Sequence, residues 1–188
     1  PDPAGNTNRF GFLIADASGH GLSAAVVVSM LHTVLRNMAE LPSPDRLLEE
    51  LNRRLFARRI GSSFVTALAG VYDADAGILE FAGAGHPPPL IHGDAGVREL
   101  ELDGGPPLGI LDAIGSSVTT WKFAPGERVL LYTDGISEAM SPTSELFGVT
   151  RVVRAMEAAP RPPSEPQTVL HAIDRAIRAH IGTAKPGD

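Results

Sequence analysis

The chain has 188 residues, a net charge of −6, 43% apolar and 20% charged side chains, and no cysteine. Such a length and composition suit one globular domain with a buried core. They exclude disulfides and thiolate metal sites, and the lack of any Lys/Arg block makes nucleic acid and anionic membrane poor partners.

No apolar run approaches membrane-spanning length and no signal peptide is visible, so membrane insertion is not expected and the expected location is the cytoplasm. Residues 1–8 are polar and turn-rich with no Met, and read as an excised boundary or a loop. Residues 10–15 form a short apolar run that reads as a buried strand stopping at Asp16. A Ser- and Gly-rich turn at 17–21 precedes a helix predicted over 22–40. In it Leu22, Val26, Met30 and Val34 recur every four residues, and Val27, Leu31 and Leu35 extend the same face. Leu41-Pro42 ends that helix. Ser43 caps a second one, with Pro44 at its first position and Asp45 in its first turn. Leu47, Leu51 and Leu55, with Leu48 and Phe56, form its apolar stripe. Arg46, Glu49, Glu50, Arg53 and Arg54 face solvent, and Gly61-Ser62 breaks it.

From Ser63 the period becomes two. Strands are predicted over 64–73 and 78–84 around an Asp- and Gly-bearing turn, then over 90–92 after the rigid Gly-His-Pro-Pro-Pro loop at 85–89. Alternation is weak over 97–102. The Gly- and Pro-rich stretch 104–109 is a loop with a fixed path. Residues 117–123 alternate again. A second apolar strand, 128–133, runs straight into Asp134-Gly135. Helices are predicted over 146–159 and 167–181, separated by a Pro-rich linker at 160–166. Grouped strands joined by hairpins, with helices outside the run, make the fold class α+β. Residues 1–188 are expected to form a single domain trimmed at both ends.

Two apolar strands that each end in Asp can bring two hard oxygen ligands to one place, the type that Mg²⁺ and Mn²⁺ prefer. Asp16 has a second reading as a helix cap, and Asp134 as the cap of a short helix over 135–140; metal ligation is the reading adopted for both. His20 reads either as a proton donor or as a residue that orients its loop. His86, before three prolines, is expected to fix its loop through a hydrogen bond. Ser18 is no G-x-S-x-G nucleophile, because Asp16 stands where the first Gly belongs. Asp112 and Glu138 read as surface or loop groups. Residues 19–24 match the G-x-G-x-x-A dinucleotide fingerprint. That reading is rejected: Asp16 would place a carboxylate near the pyrophosphate, and a helix follows where a second parallel strand is required.

Four segments then fall in order: Asp16-Ala17-Ser18-Gly19-His20-Gly21, Ala82 through the triple proline to Leu90, Gly104-Gly105-Pro106-Pro107-Leu108-Gly109, and Leu130 to Ala139 with Glu145-Leu146-Phe147-Gly148. Together they resemble the RsbU/SpoIIE-type branch of the bacterial metal-dependent serine/threonine protein phosphatases, the PPM superfamily. The resemblance covers residues 9–188. It implies a two-sheet antiparallel β-sandwich flanked by helices on both faces, and a dinuclear Mn²⁺ or Mg²⁺ centre. It makes Asp16 a bridging ligand, Asp134 a ligand to one metal and the Ala17 backbone carbonyl a further donor. Two divalent ions neutralise a phosphomonoester and acidify the attacking water. The implied substrate is a phosphorylated STAS-type anti-anti-sigma protein in a partner-switching sigma-factor pathway, with an upstream sensor domain in the same parent chain. The assembly is open, a homodimer included. The family pattern also has an acidic Gly-Gly-Asp strand before the one at Phe10, which is missing here. It ends in an Asp-Asp strand, and Asp188 is either its first residue or just outside it. Two functional classes follow: an active metal-dependent phosphatase, or a non-catalytic phosphatase-like module that binds a phosphoprotein.

Overall fold

The computed structural model describes residues 8–19, 21–58, 64–160 and 165–182. In chain order the first elements are β1 (Arg9–Ala17), α1 (Leu22–Arg36), α2 (Pro44–Arg58), β2 (Val65–Asp73), β3 (Ile78–Ala84), β4 (Leu90–Gly93) and β5 (Gly96–Glu99). There follow β6 (Thr119–Lys122), β7 (Arg128–Leu130), α3 (Asp134–Ser137), α4 (Gly148–Ala158) and α5 (Pro166–Ile181). They fall into two compact units, Pro1–Pro88 with Glu101–Phe123, and Pro89–Leu100 with Ala124–Asp188. The class is α+β, with two antiparallel sheets plus helices.

The first unit holds a four-stranded antiparallel sheet in the order β1-β2-β3-β6. Its core forms because alternate strand residues share a face. Leu13, Ala15 and Ala17 of β1, Val65, Ala67 and Ala69 of β2, and Ala82 and Ala84 of β3 meet the apolar stripes of the two helices. Those stripes are Val27, Met30, Leu31 and Val34 on α1, and Leu47, Leu48, Leu51 and Leu55 on α2. Four wholly buried alanines on the sheet leave room for the helical leucines, each worth about 1.5–3 kcal/mol when taken from water. On the other face the rings of Phe12 and Phe81 meet edge to face at 6.1 Å. Gly70 makes that possible, since a Cβ there would lie 2.2 Å from the Phe12 ring.

The second unit holds a three-stranded antiparallel sheet, β5-β4-β7. Leu90 and Leu130 of this sheet join Tyr132, Phe147, Val152, Met156, Val169 and Ile173 in its core.

Several boundaries differ from the sequence expectation, each for a local reason. α1 ends at Arg36, because the Asn37 side chain donates to the Thr33 carbonyl at 2.8 Å and its main-chain N–H turns to Val34. β7 stops at Leu130 instead of reaching residue 133: Leu130 pairs with Leu90, and the next partner would be Pro89, which has no N–H. β6 is confined to Thr119–Lys122, since Ser117 bonds to Asp103 instead of extending the ladder. β5 ends at Glu99, and Leu100 donates to the Pro89 carbonyl at 2.9 Å. α5 begins at Pro166, a favoured first helical position. The turn-like start at 1–7, the Gly61-Ser62 break and linker residues 161–164 lie outside the described residues.

Candidate active site

Asp16 lies inside β1, opposite Thr66, with Ala17 opposite Val65 at the strand's end. The bonding phase follows from two neighbours. Ser18 donates its main-chain N–H to Phe64 at 2.9 Å, whereas Val65 exchanges bonds of 3.0 and 2.8 Å with Leu108, away from β1. Bonds alternate along an antiparallel pair. The Ala17 carbonyl therefore points off the outer edge of β1, and that edge pairs with no strand among the described residues. Asp16 and Thr66 bond to each other through the main chain. Their side chains share the sheet face opposite to α1 and α2, and both are half-buried.

The hydroxyls around this strand end are already engaged. Ser18 Oγ accepts the Phe64 N–H at 2.8 Å. Thr66 Oγ1 lies 3.0 Å from His86 Nδ1, which is the loop-fixing hydrogen bond expected of His86. The loop itself is rigid. Gly85 adopts φ +67°, and a Cβ there would sit 2.5 Å from the Pro107 ring. Its N–H donates to Gly105 at 2.9 Å, and three prolines follow His86.

Asp134 belongs to the second unit, as the first residue of α3 behind an extended Thr133. The short helix weighed in the sequence exists, but Thr133 occupies the cap position and the helix is 4 residues long. Asp134's carbonyl accepts the Glu138 N–H at 2.7 Å. The chain that follows is tied back to the core. Phe147 donates to the Ala139 carbonyl at 2.9 Å. Arg151 of α4 donates to the carbonyls of Leu146 and Phe147 at 3.1 and 2.9 Å. His180 of α5 bonds to the Glu145 carbonyl at 2.8 Å and stacks edge-on against Phe147. The Arg151 guanidinium beside Glu145 holds that carboxyl below its ordinary value. Tyr132 lies two residues before Asp134 and is buried. Burial, then the charge of Glu99, pushes its phenol up.

Asp16 and Ala17 thus stand in one unit and Asp134 in the other. His20 and Asp188 lie outside the described residues. Among the described residues, no three His, Cys, Asp or Glu side chains gather as a metal-holding group. The donor types nevertheless fit Mg²⁺ or Mn²⁺: a carboxylate and an edge-facing carbonyl, both hard oxygens. Mg²⁺ keeps several waters and relies on one or two carboxylates, so a sparse protein donor set is within its habit.

Two polar residues were overlooked in the sequence. Thr66 carries no local signal, since its importance comes from lying opposite Asp16. Asn52 did carry one: it falls four residues after Leu48, on the buried stripe of α2. It is wholly buried, donates to the carbonyls of Leu111 and Asp112 at 3.0 and 2.9 Å, and accepts the Gly109 N–H at 2.8 Å. It fastens the Gly/Pro-rich loop to the helix.

The family model described as Stage II sporulation protein E (SpoIIE) matches residues 6–188. Phosphoserine phosphatase RsbP of Bacillus subtilis (strain 168) is 30% identical over 145 residues, 74% of this chain and 35% of RsbP. The chain therefore spans about a third of the length of that curated relative. The crystal structure of the RsbU and RsbW domains of Rv1364c from Mycobacterium tuberculosis superposes with a TM-score of 0.71 at 27% identity, covering 94% of this chain and 48% of that one. The SiaA-PP2C domain of Pseudomonas aeruginosa shares the fold, with a TM-score of 0.77 at 19% identity over 97% of this chain and 74% of that one.

Proposed function

The chain belongs to the SpoIIE family of PPM-type domains, and on that premise we propose that it hydrolyses phosphoserine or phosphothreonine on a protein, with Mn²⁺ or Mg²⁺ as cofactor. The observation that carries the reading is the end of β1, where the Asp16 carboxylate and the edge-facing Ala17 carbonyl stand side by side within the matched region. When bound, two divalent ions neutralise the phosphate and acidify the attacking water. In this reading Asp16 and the Ala17 carbonyl are oxygen donors in the first unit, and Asp134 is assigned a donor role in the second. His20 is assigned the proton donor and Asp188 a further carboxylate donor. The proposed substrate is the phosphorylated STAS-type protein of a partner-switching pathway in the cytoplasm, with a sensor domain of the same parent chain as regulator. The likeness to RsbP, a phosphoserine phosphatase, supports the phosphoserine choice. No helix among the described residues is long and apolar enough to cross a membrane.

A second reading, a phosphatase-like module that binds a phosphoprotein without turnover, is favoured by the lack of a gathered acidic group among the described residues. One assay separates the two: phosphate release from a phosphorylated STAS protein by the parent protein, with Mn²⁺ and with EDTA, beside Asp16→Asn. Release that requires Mn²⁺ and falls to background in Asp16→Asn is the expected result. Full activity in a folded Asp16→Asn protein overturns the donor assignment. Tight binding of the phosphoprotein without release supports the second reading.

A further inference from the structure

We propose that Thr66 is a positioning residue for the Asp16 carboxylate, its hydroxyl aimed by His86; the inference rests on the reading of Asp16 as a metal donor and adds to it a hydrogen-bonding support. Asp16 and Thr66 are directly opposed in the β1–β2 register, in a pair bonded through the main chain. Directly opposed side chains on one sheet face have Cβ atoms about 4.5–5.5 Å apart, near enough for a threonine hydroxyl to reach an aspartate carboxylate by rotation of the side chains; in this structure the Thr66 hydroxyl bonds to His86 and not to Asp16. Neither side chain points into the helix-covered core, whose strand contributors are the alternate residues Ala15, Ala17, Val65 and Ala67.

The direction of the hydroxyl is set from behind. His86 is 8% exposed and its Nδ1 lies 3.0 Å from Thr66 Oγ1. The main chain that carries the ring has a fixed path, since a Cβ at Gly85 would meet the Pro107 ring on one side and Pro87-Pro88-Pro89 follow on the other. A hydroxyl has one proton to give and two lone pairs to offer. With the proton on His86 Nδ1, the ring donates to Oγ1 and the hydroxyl proton turns to the neighbouring carboxylate. The proposed arrangement is a His–Thr–Asp relay of orientation: the triple-proline loop places His86, His86 bonds to Thr66, and Thr66 would hold one carboxylate oxygen once Asp16 turns toward it, leaving the other to face outward. It gives a role to the Gly-His-Pro-Pro-Pro segment that the donor assignment leaves unused.

The test is Mn²⁺ titration, by calorimetry and by the EPR signal of free Mn²⁺, of the 188-residue chain and of Thr66→Val, Thr66→Ser, His86→Asn and Asp16→Asn, each with its thermal midpoint. Partners that orient a ligating group typically cost 10–100-fold in metal affinity when removed. Thr66→Val, nearly the same shape without the hydroxyl, is expected to weaken Mn²⁺ binding by about 10–100-fold, and Thr66→Ser to restore it. His86→Asn, which keeps an amide N–H near the place of Nδ1, is expected to lie between them. A purely structural Thr66–His86 bond would lower the thermal midpoint and leave Mn²⁺ affinity alone. Wild-type affinity in Thr66→Val, alongside loss of binding in Asp16→Asn, overturns the positioning role and spares the donor reading. Unchanged binding in Asp16→Asn, or none in the wild-type chain, overturns both. Should Thr66→Val not fold, wild-type affinity in His86→Asn together with weakened binding in Thr66→Ser overturns the orientation by His86.

Discussion

Asn52 shows how a single polar side chain decides the path of a loop. It is wholly buried and its amide makes three hydrogen bonds to the 109–112 main chain. Leucine of similar volume would keep the packing of α2 and leave those main-chain groups without their partner. An orphaned buried polar group costs about 1–3 kcal/mol, so Asn52→Leu is expected to lose about 2–4 kcal/mol. In urea the midpoint should fall with an unchanged slope; an unshifted midpoint would mean that the loop finds other partners. Tyr132 is the opposite case. Its hydroxyl is buried with no hydrogen-bond partner among the described residues, so Tyr132→Phe removes a desolvated group and is expected to leave the thermal midpoint level or raised. A loss above about 1 kcal/mol, the usual net worth of a hydrogen bond, would reveal a partner beyond the described residues.

At the scale of the element, α2 combines two kinds of force of very different size. Its inner face buries Leu47, Leu48, Leu51 and Leu55, and truncation of wholly buried Leu51 to Ala is expected to cost about 2–5 kcal/mol in a chemical melt. Its outer face carries Glu50 between Arg53 and Arg54, paired at 2.7 and 2.5 Å. The hydrogen bonds from Arg53 and then Arg54 hold the Glu50 carboxyl below its ordinary value of 4.5. A depressed carboxyl stabilises the fold above the unfolded value and loses that contribution as pH falls through the lower folded one. Both arginines are at least half exposed, so solvent and salt limit the pair to about 0.2–1 kcal/mol. Glu50→Gln should therefore cost under about 1 kcal/mol at neutral pH. The difference from wild type should vanish in urea melts well below pH 4.5, and shrink in molar salt at neutral pH. A difference that persists at low pH would assign the effect to packing.

For the molecule as a whole the relevant quantity is its net charge of −6. A phosphoprotein of like sign meets repulsion at long range, and added salt shortens its reach from about 30 Å at 0.01 M to about 8 Å at 0.15 M. If the proposed substrate class is right, kcat/KM for an acidic phosphoprotein should rise or stay level over that range of salt. A steep fall would point instead to a local basic patch that steers the substrate.

How much was legible in the sequence follows from what a contiguous segment can encode. The apolar stripes of α1 and α2, the hairpin of β2 and β3, and the order of strands and helices were readable because burial on one face imposes a period on the residues of that segment alone. The strand before Asp16 was readable for the same reason, although β1 runs one residue further, to Ala17; the motif order around it was legible through the family resemblance and not through any period. Other features were decided by residues far away in the chain. β7 ends where its partner strand reaches Pro89. The Ala17 carbonyl faces outward because Val65 spends its bonds on Leu108. Thr66 matters because the β1–β2 register sets it against Asp16, and His86 because a proline-locked loop brings its ring to Thr66. Register, bond direction and loop closure belong to pairs of segments, and no periodicity within one segment carries them; only tertiary pairing, which must satisfy every buried main-chain group at once, selects among them.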